Sequence, residues 1–327
     1  MIRPLAFGGL LIAVLVGGGW FMVTSARPDL AGAFDPRRFG EGVQVYFESI
    51  ESGVGDITPG VEKRVIWQPG GYERRTPLSV LYLHGFSATS EEIRPVPDRI
   101  AQALGANLVY TRLQGHGRDG AALGQASVAG WMADLAEGLA AARAVGDRVV
   151  VLSTSTGGTL ATVAAVDPDL SRDVAAMIFV SPNYAINQRF AGLLTAPGAR
   201  IWLPWVLGPE RRFDPASADQ ATYWTNPYPV QALVPMAALV RAVSRLDVTQ
   251  APMPALFRIS DADQVVQPQA TRAIAARWGG GGTLQVVDLG PGDDPSAHVI
   301  AGDIMSPGQT NQTVADMLAW LSDQGIE

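Results

Sequence analysis

The sequence predicts an α/β domain: an eight-stranded, mostly parallel sheet with helices on both faces and one long insertion. Three observations predict it. Short continuous apolar runs, such as Leu78–Leu83 and Ala176–Val180, alternate with segments of helical spacing, such as Val128–Val145. Strands buried on both faces read as such runs, and their alternation with helices implies parallel pairing. The run Val149–Leu152 passes through the tight turn Ser153–Gly157 straight into Gly158–Val166, a helix of small and apolar residues. Finally, roughly 70 residues, Ser181–Gln250, break the alternation and are too many for a simple connection.

Residues 1–26 form an N-terminal segment. Pro4–Ser25 holds no charged residue, and Leu5–Val23 is an apolar stretch of about 19 residues, nearly 30 Å as a helix and so about the thickness of a bilayer core. Two readings compete: an uncleaved membrane anchor, which the length favours, or a secretory signal cleaved near Thr24-Ser25-Ala26. Either one exports the downstream domain to the periplasmic or extracellular side. Residues 27–180 form the first part of the core. Ala26–Gly40 reads as a linker, and Val43–Ile50 and Val61–Trp67 as two opening strands in an edge hairpin. Leu78–Leu83 is a core strand, Ser90–Gly105 a helix made irregular at its start by Pro95 and Pro97, and Ala106–Thr111 a strand. Residues 181–250 are the insertion, and 251–327 the second part of the core. The last part carries strands at Pro254–Ile259 and Leu284–Asp288 and helices at Gln267–Trp278 and Thr310–Asp323.

Composition excludes several classes. The net charge is −7 with Lys nearly absent and no basic stripe, which argues against a nucleic-acid partner. There are no cysteines, so disulfides, thiolate metal sites and a cysteine nucleophile are excluded. The three histidines, His84, His116 and His298, show no metal-ligand spacing, and no metal or cofactor is expected.

The strand–turn–helix around Ser155 is the context of a nucleophile elbow, which lifts a serine hydroxyl above the sheet and aims helix N–H groups at a reacting carbonyl. A serine hydroxyl needs a base whose pKa lies near 7. His298 comes after the last predicted strand, at the carboxyl ends where α/β sheets build their sites. A carboxylate is expected after the strand before it, where both Asp261 and Asp263 occur. The order Ser155, Asp263, His298 results. Asp261, like Asp293 and Asp294, reads as a turn or surface carboxylate.

With these residues in place, the sequence resembles the α/β-hydrolase family, and within it the capped carboxylesterases and monoacylglycerol lipases, over residues 77 to 325. Leu83-His84-Gly85-Phe86, Gly115-His116-Gly117-Arg118, the Ser155 elbow and the Asp263/His298 pair carry the resemblance. One departure stands out, because Ser153 replaces the first glycine of G-x-S-x-G. The resemblance implies an α/β-hydrolase fold and a serine hydrolase that cleaves carboxylic esters through an acyl-serine intermediate. It favours Asp263 as the acid, since Asp263-Gln264-Val265-Val266 fits the family pattern. It also implies oxyanion binding by the Phe86 and Thr156 N–H groups, and loop-shaping roles for His84 and His116. The insertion is then a cap over Ser155, and Trp202, Trp205 and Trp224 are candidate substrate contacts. The expected substrate is a small-molecule or lipid ester. An acyltransferase or an amidase/peptidase using the same three residues, and a non-catalytic membrane-tethered ligand-binding domain, are the alternatives.

Overall fold

The computed structural model describes residues 28–70 and 73–327. The apolar run Leu5–Val23, with its anchor and signal readings, lies outside the described residues. Among the described residues no helix is long and apolar enough to cross a membrane.

The chain opens with α1 (Val43–Ser52), β1 (Arg64–Ile66) and β2 (Thr76–Leu83), then α2 (Val96–Ala103), β3 (Asn107–Tyr110), α3 (Gly120–Gly124) and α4 (Val128–Val145). Then come β4 (Gly146–Thr154), α5 (Thr156–Val166) and β5 (Val174–Val180). The inserted segment carries α6 (Ala199–Leu207), β6 (Glu210–Arg211), α7 (Ala218–Tyr223), β7 (Tyr228–Pro229) and α8 (Leu233–Val243). The chain closes with β8 (Ala255–Ile259), α9 (Pro268–Ala275), β9 (Gly282–Val286) and α10 (Thr310–Asp323).

Seven strands form the main sheet in the order β1-β3-β2-β4-β5-β8-β9. All neighbours are parallel except the edge pair β1–β3. Successive residues along the strands serve opposite faces. Leu81, Val149, Val151, Phe179 and Phe257 pack with Trp131 and Leu135 of α4 and with Leu160 of α5. On the other face, Val80, Tyr82, Val150, Leu152 and Ile178 pack with Ile100 of α2 and with Met317 and Leu321 of α10. Both faces are covered, which is why the strands read as uninterrupted apolar runs.

Two expectations are corrected. Val43–Ile50 is helical, so the sheet has seven strands rather than eight and no opening hairpin. The segment satisfies two periods at once. Val43, Val45 and Phe47 alternate as in a strand, whereas Val43, Tyr46, Phe47 and Ile50 share one face of a helix. In the fold Val43 and Phe47 are buried, Tyr46 and Ile50 pack against the core, and Val45 is 44% exposed. The helix also places Glu51 in a buried, two-pronged ion pair with Arg112, at 2.7 and 2.8 Å. In addition, the helix after β2 occupies only Val96–Ala103, because Pro95 stands at its N-cap and Pro97 fits the first turn, where no N–H is needed.

The elbow depends on one close approach. A Cβ at Gly157 would overlap the carbonyl oxygen of Leu83 and lie 2.8 Å from that of His84, while one at Gly158 would lie 2.8 Å from Pro182 Cβ. The start of α5 is thus pressed between the ends of β2 and β5. Gly157→Ala is expected to lower the unfolding free energy by about 1–3 kcal/mol, the range for overpacking a tight interior. Urea unfolding of the two proteins, with unchanged slope, checks this.

Candidate active site

Ser155 sits between β4 and α5 with φ 49° and ψ −114°, in the left-handed region that L-residues rarely adopt. Its backbone is held on both sides. Ser155 N–H donates to the Val180 carbonyl, at 3.0 Å, and the Ser155 carbonyl accepts from Asn183 N–H, also at 3.0 Å. The side chain, at the carboxyl end of a central strand, lines a cavity of about 880 Å³.

His298 comes after β9 and Asp263 after β8, and the two meet Ser155 over the sheet. His298 Nε2 lies 3.0 Å from Ser155 Oγ, and Nδ1 lies 2.9 Å from Asp263 Oδ2. Since a carboxylate only accepts, Nδ1–H donates to Asp263, and Nε2 is free to accept the serine proton. The other Asp263 oxygen accepts the N–H groups of Val265 and Val266, at 2.8 and 2.9 Å. Of the two aspartates in this loop, Asp263 is buried and faces the imidazole; Asp261 is exposed and pairs with Arg272 at 2.7 Å.

Burial alone would disfavour the protonated imidazole of His298. The hydrogen bond and charge of Asp263 outweigh it, with Glu92 and Asp294 adding to them, and the pKa is raised above the ordinary 6.5. Asp294 is a turn former as expected, but it is buried rather than on the surface. Its carboxylate accepts the N–H groups of Ser296, His298 and Val299, and so shapes the loop that carries the histidine.

The Phe86 and Thr156 N–H groups donate to no other group among the described residues; Thr156 follows Ser155 in the chain, and Phe86 lines the same cavity as Ser155. Thr156 opens α5, so it has no intrahelical acceptor. Phe86 is fixed by its neighbours: its ring packs edge-on against His116, Trp131 and Tyr228. His84 Nε2 accepts the Leu113 N–H at 3.1 Å, so Nδ1 carries the proton and donates to the Gly85 carbonyl at 2.9 Å. Burial pushes the His84 pKa down to about 4 and that of His116 well below 6.5, so both rings are neutral loop braces.

The rest of the cavity wall is largely apolar. Leu194, Trp202, Leu203, Trp224 and Met236 from the insertion line it, together with Met305. Trp205, the third candidate tryptophan, is not among the lining residues; it is 89% exposed. Two lining polar residues escaped the sequence reading. Glu92 falls in the first turn of the expected helix Ser90–Gly105, where an acidic residue draws no notice; in the structure it precedes α2 and is buried. Asn183 comes just after β5, and its Oδ1 is buried without a partner. No local pattern marks either residue. Among the described residues, no group of His, Cys, Asp or Glu side chains gathers as metal ligands.

A serine hydroxyl on a strained turn, a histidine that accepts its proton, a buried carboxylate behind the histidine and two unused N–H groups can together perform nucleophilic acyl transfer. Residues 76–289 match the Hydrolase_4 family, described as serine aminopeptidase, S33, and the chain belongs to that α/β-hydrolase family. It is similar to the thermostable monoacylglycerol lipase of Bacillus sp. strain H-257, 27% identical over 197 residues that span 60% of this chain and 75% of that one. Among solved structures, the fold resembles a metagenome-derived lipolytic enzyme of the LipS and LipT study (TM-score 0.62, 20% identity, 82% of this chain and 100% of that one). It also resembles the monoglyceride lipase of Saccharomyces cerevisiae (TM-score 0.60, 14% identity, 80% and 91%).

NMR titration of the ring nitrogens is expected to place His298 above pH 6.5, His84 at about 4 and His116 well below 6.5. Asp263→Asn, which removes the acceptor's charge, is expected to lower the His298 pKa; an unchanged value would mean that Asp263 does not set it.

Proposed function

We propose that the protein hydrolyses carboxylic esters of lipid-like substrates, with Ser155 as nucleophile. The 3.0 Å approach of His298 Nε2 to Ser155 Oγ carries this reading. Ser155 Oγ attacks the acyl carbonyl while His298 Nε2 takes the hydroxyl proton. The negative charge on the carbonyl oxygen falls to the Phe86 and Thr156 N–H groups, which bind it only as it develops. Asp263 keeps the imidazole in the tautomer that presents Nε2 to the serine and stabilises the imidazolium. His298 then protonates the departing alcohol, leaving an acyl-serine. Water, deprotonated by the same histidine, releases the acid and regenerates Ser155.

The substrate class rests on the cavity and the relatives. The volume and the apolar wall suit an acyl chain. Phe190, Ile201, Trp205, Val206 and Leu207 continue the apolar character onto the exposed side of the insertion. Exposed apolar side chains, three of which (Phe190, Val206 and Leu207) also line the cavity, fit a substrate delivered from a lipid phase. The 27% identical relative is named a monoacylglycerol lipase. In this reading the insertion at 181–250 is the cap, and the run at Leu5–Val23 tethers an exported domain. No observation favours the non-catalytic domain or the acyl transfer to another acceptor.

Ser155→Ala is expected to abolish labelling by a fluorophosphonate probe and to lower p-nitrophenyl ester hydrolysis by about 10⁴-fold or more. Retained labelling would remove Ser155 from the reaction. The base must be neutral to act, and its pKa is raised, so kcat/KM is expected to rise with pH through a midpoint above 6.5 and to plateau on the alkaline side. Met236→Trp narrows the cavity and is expected to depress long-chain ester turnover at least tenfold while sparing acetate esters. An equal loss on both would place Met236 outside the acyl site. Membrane tethering is checked by expressing the full chain and tracking activity into the membrane fraction; activity found only in the soluble fraction speaks against it.

A further inference from the structure

Glu92 takes no part in the proton transfers of Ser155, His298 and Asp263, yet it is buried beside them. It stands in the turn between Phe86 and α2, is 2% exposed and lines the same cavity. No Lys or Arg pairs with it among the described residues. A carboxyl group buried without a cation is costly unless its oxygens are bonded. Here Oε2 accepts the Gly85 N–H at 2.7 Å and the Tyr82 hydroxyl at 3.1 Å. The Tyr82 oxygen also lies 3.1 Å from Thr154 Oγ1, in the residue just before Ser155. The other carboxylate oxygen packs on Gly85, where a Cβ would come within 2.5 Å of Oε1.

Gly85 is therefore pinned at both ends. Its N–H is held by Glu92 and its carbonyl by the Nδ1–H of His84. In a trans peptide the next N–H points opposite to that carbonyl, so fixing Gly85 fixes the direction of the Phe86 N–H. The chain Gly85–Glu92–Tyr82–Thr154 ties the loop that carries this N–H to the strand end that carries Ser155. The segment is also backed from behind. Asp303 N–H donates to the Arg94 carbonyl at 2.9 Å, and a Cβ at Gly302 would collide with Ile93.

We propose that Glu92 is a positioning residue for oxyanion binding: by holding the Gly85 N–H, its Oε2 aims the Phe86 N–H at the site above Ser155. The inference rests on the serine-hydrolase reading and adds a residue to it. Burial pushes the Glu92 carboxyl up to about 7, against the opposing pull of the Gly85 N–H, the His298 charge and the Tyr82 hydroxyl. The acceptor role does not depend on that charge, because the carbonyl oxygen of a neutral acid or of an amide can accept the same N–H.

The consequence is specific. An oxyanion contact is made only in the transition state, so mis-aiming it lowers kcat and leaves KM nearly unchanged. In the full chain, Glu92→Ala is expected to lower kcat for p-nitrophenyl esters by about 10–100-fold, less than the loss of a whole donor, with KM within threefold. Glu92→Gln keeps an acceptor of similar shape and is expected to restore most of kcat. If Glu92→Ala does not fold, Glu92→Met, which fills the space without a strong acceptor, takes its place against Glu92→Gln. Equal kcat for the Gln variant and the Ala or Met variant, or kcat and KM falling together, overturns the proposal. If wild type is labelled by fluorophosphonate and Ser155→Ala is not, such a result counts against Glu92 alone. A wild type that is not labelled overturns the hydrolase reading, and the Glu92 assignment falls with it.

Discussion

The rest of the site is arranged around one strained turn. Ser155 occupies a backbone conformation that costs about 1–3 kcal/mol and persists only where surrounding structure over-determines it. Here β4 supplies the approach, β5 accepts the Ser155 N–H, the loop after β5 donates to its carbonyl, and α5 departs over the ends of β2 and β5. That last contact leaves no room for a side chain at Gly157. Ser153 stands where the family's motif has its first glycine. The Ser153 hydroxyl finds a partner in the Ile178 carbonyl at 3.2 Å, so a small polar side chain fits between the strands without an unpaired group.

The second organising feature is electrostatic. Three buried carboxyl groups, Asp263, Glu92 and Asp294, surround one imidazole. None of them is paired with Lys or Arg among the described residues; each is held by backbone N–H groups. Backbone donors satisfy these buried acceptors without placing a second fixed cation beside the imidazole. The protonated His298 is therefore the cation that these groups favour, which suits a base that must carry a proton between two half-reactions. His84 and His116 lie in the same core but face carbonyls and each other's rings rather than carboxylates, and burial leaves them neutral.

The insertion after β5 supplies most of the cavity wall. Its own small cluster, Leu194, Ala199, Leu203, Val230 and Ala237, anchors α6 to α8, and α8 belongs to the larger core through Met236, Leu239 and Val243. Leu203 of α6 is thus committed to packing, while Ile201 and Trp205 remain in solvent and Val206, though exposed, lines the cavity.

By itself the sequence determined the parallel core, the turn at Ser155 and the positions after β8 and β9 from which Asp263 and His298 reach it. Each of these is written locally, in apolar runs, turn residues and helical periods. The tertiary structure alone decided matters in which local signals tie or are silent. Val43–Ile50 satisfies both a strand and a helix period, and only the packing of Tyr46 and Ile50 against the core and the Glu51–Arg112 pair select the helix. Trp202 and Trp205 look alike in sequence, yet only one lines the cavity. Asp294 carries the signature of a solvated turn and Glu92 that of an ordinary acidic residue at a helix start, because a carboxyl group is written the same way whether water or a backbone N–H satisfies it. Burial arises when distant segments close over such a residue, and no run of neighbouring residues encodes that closure.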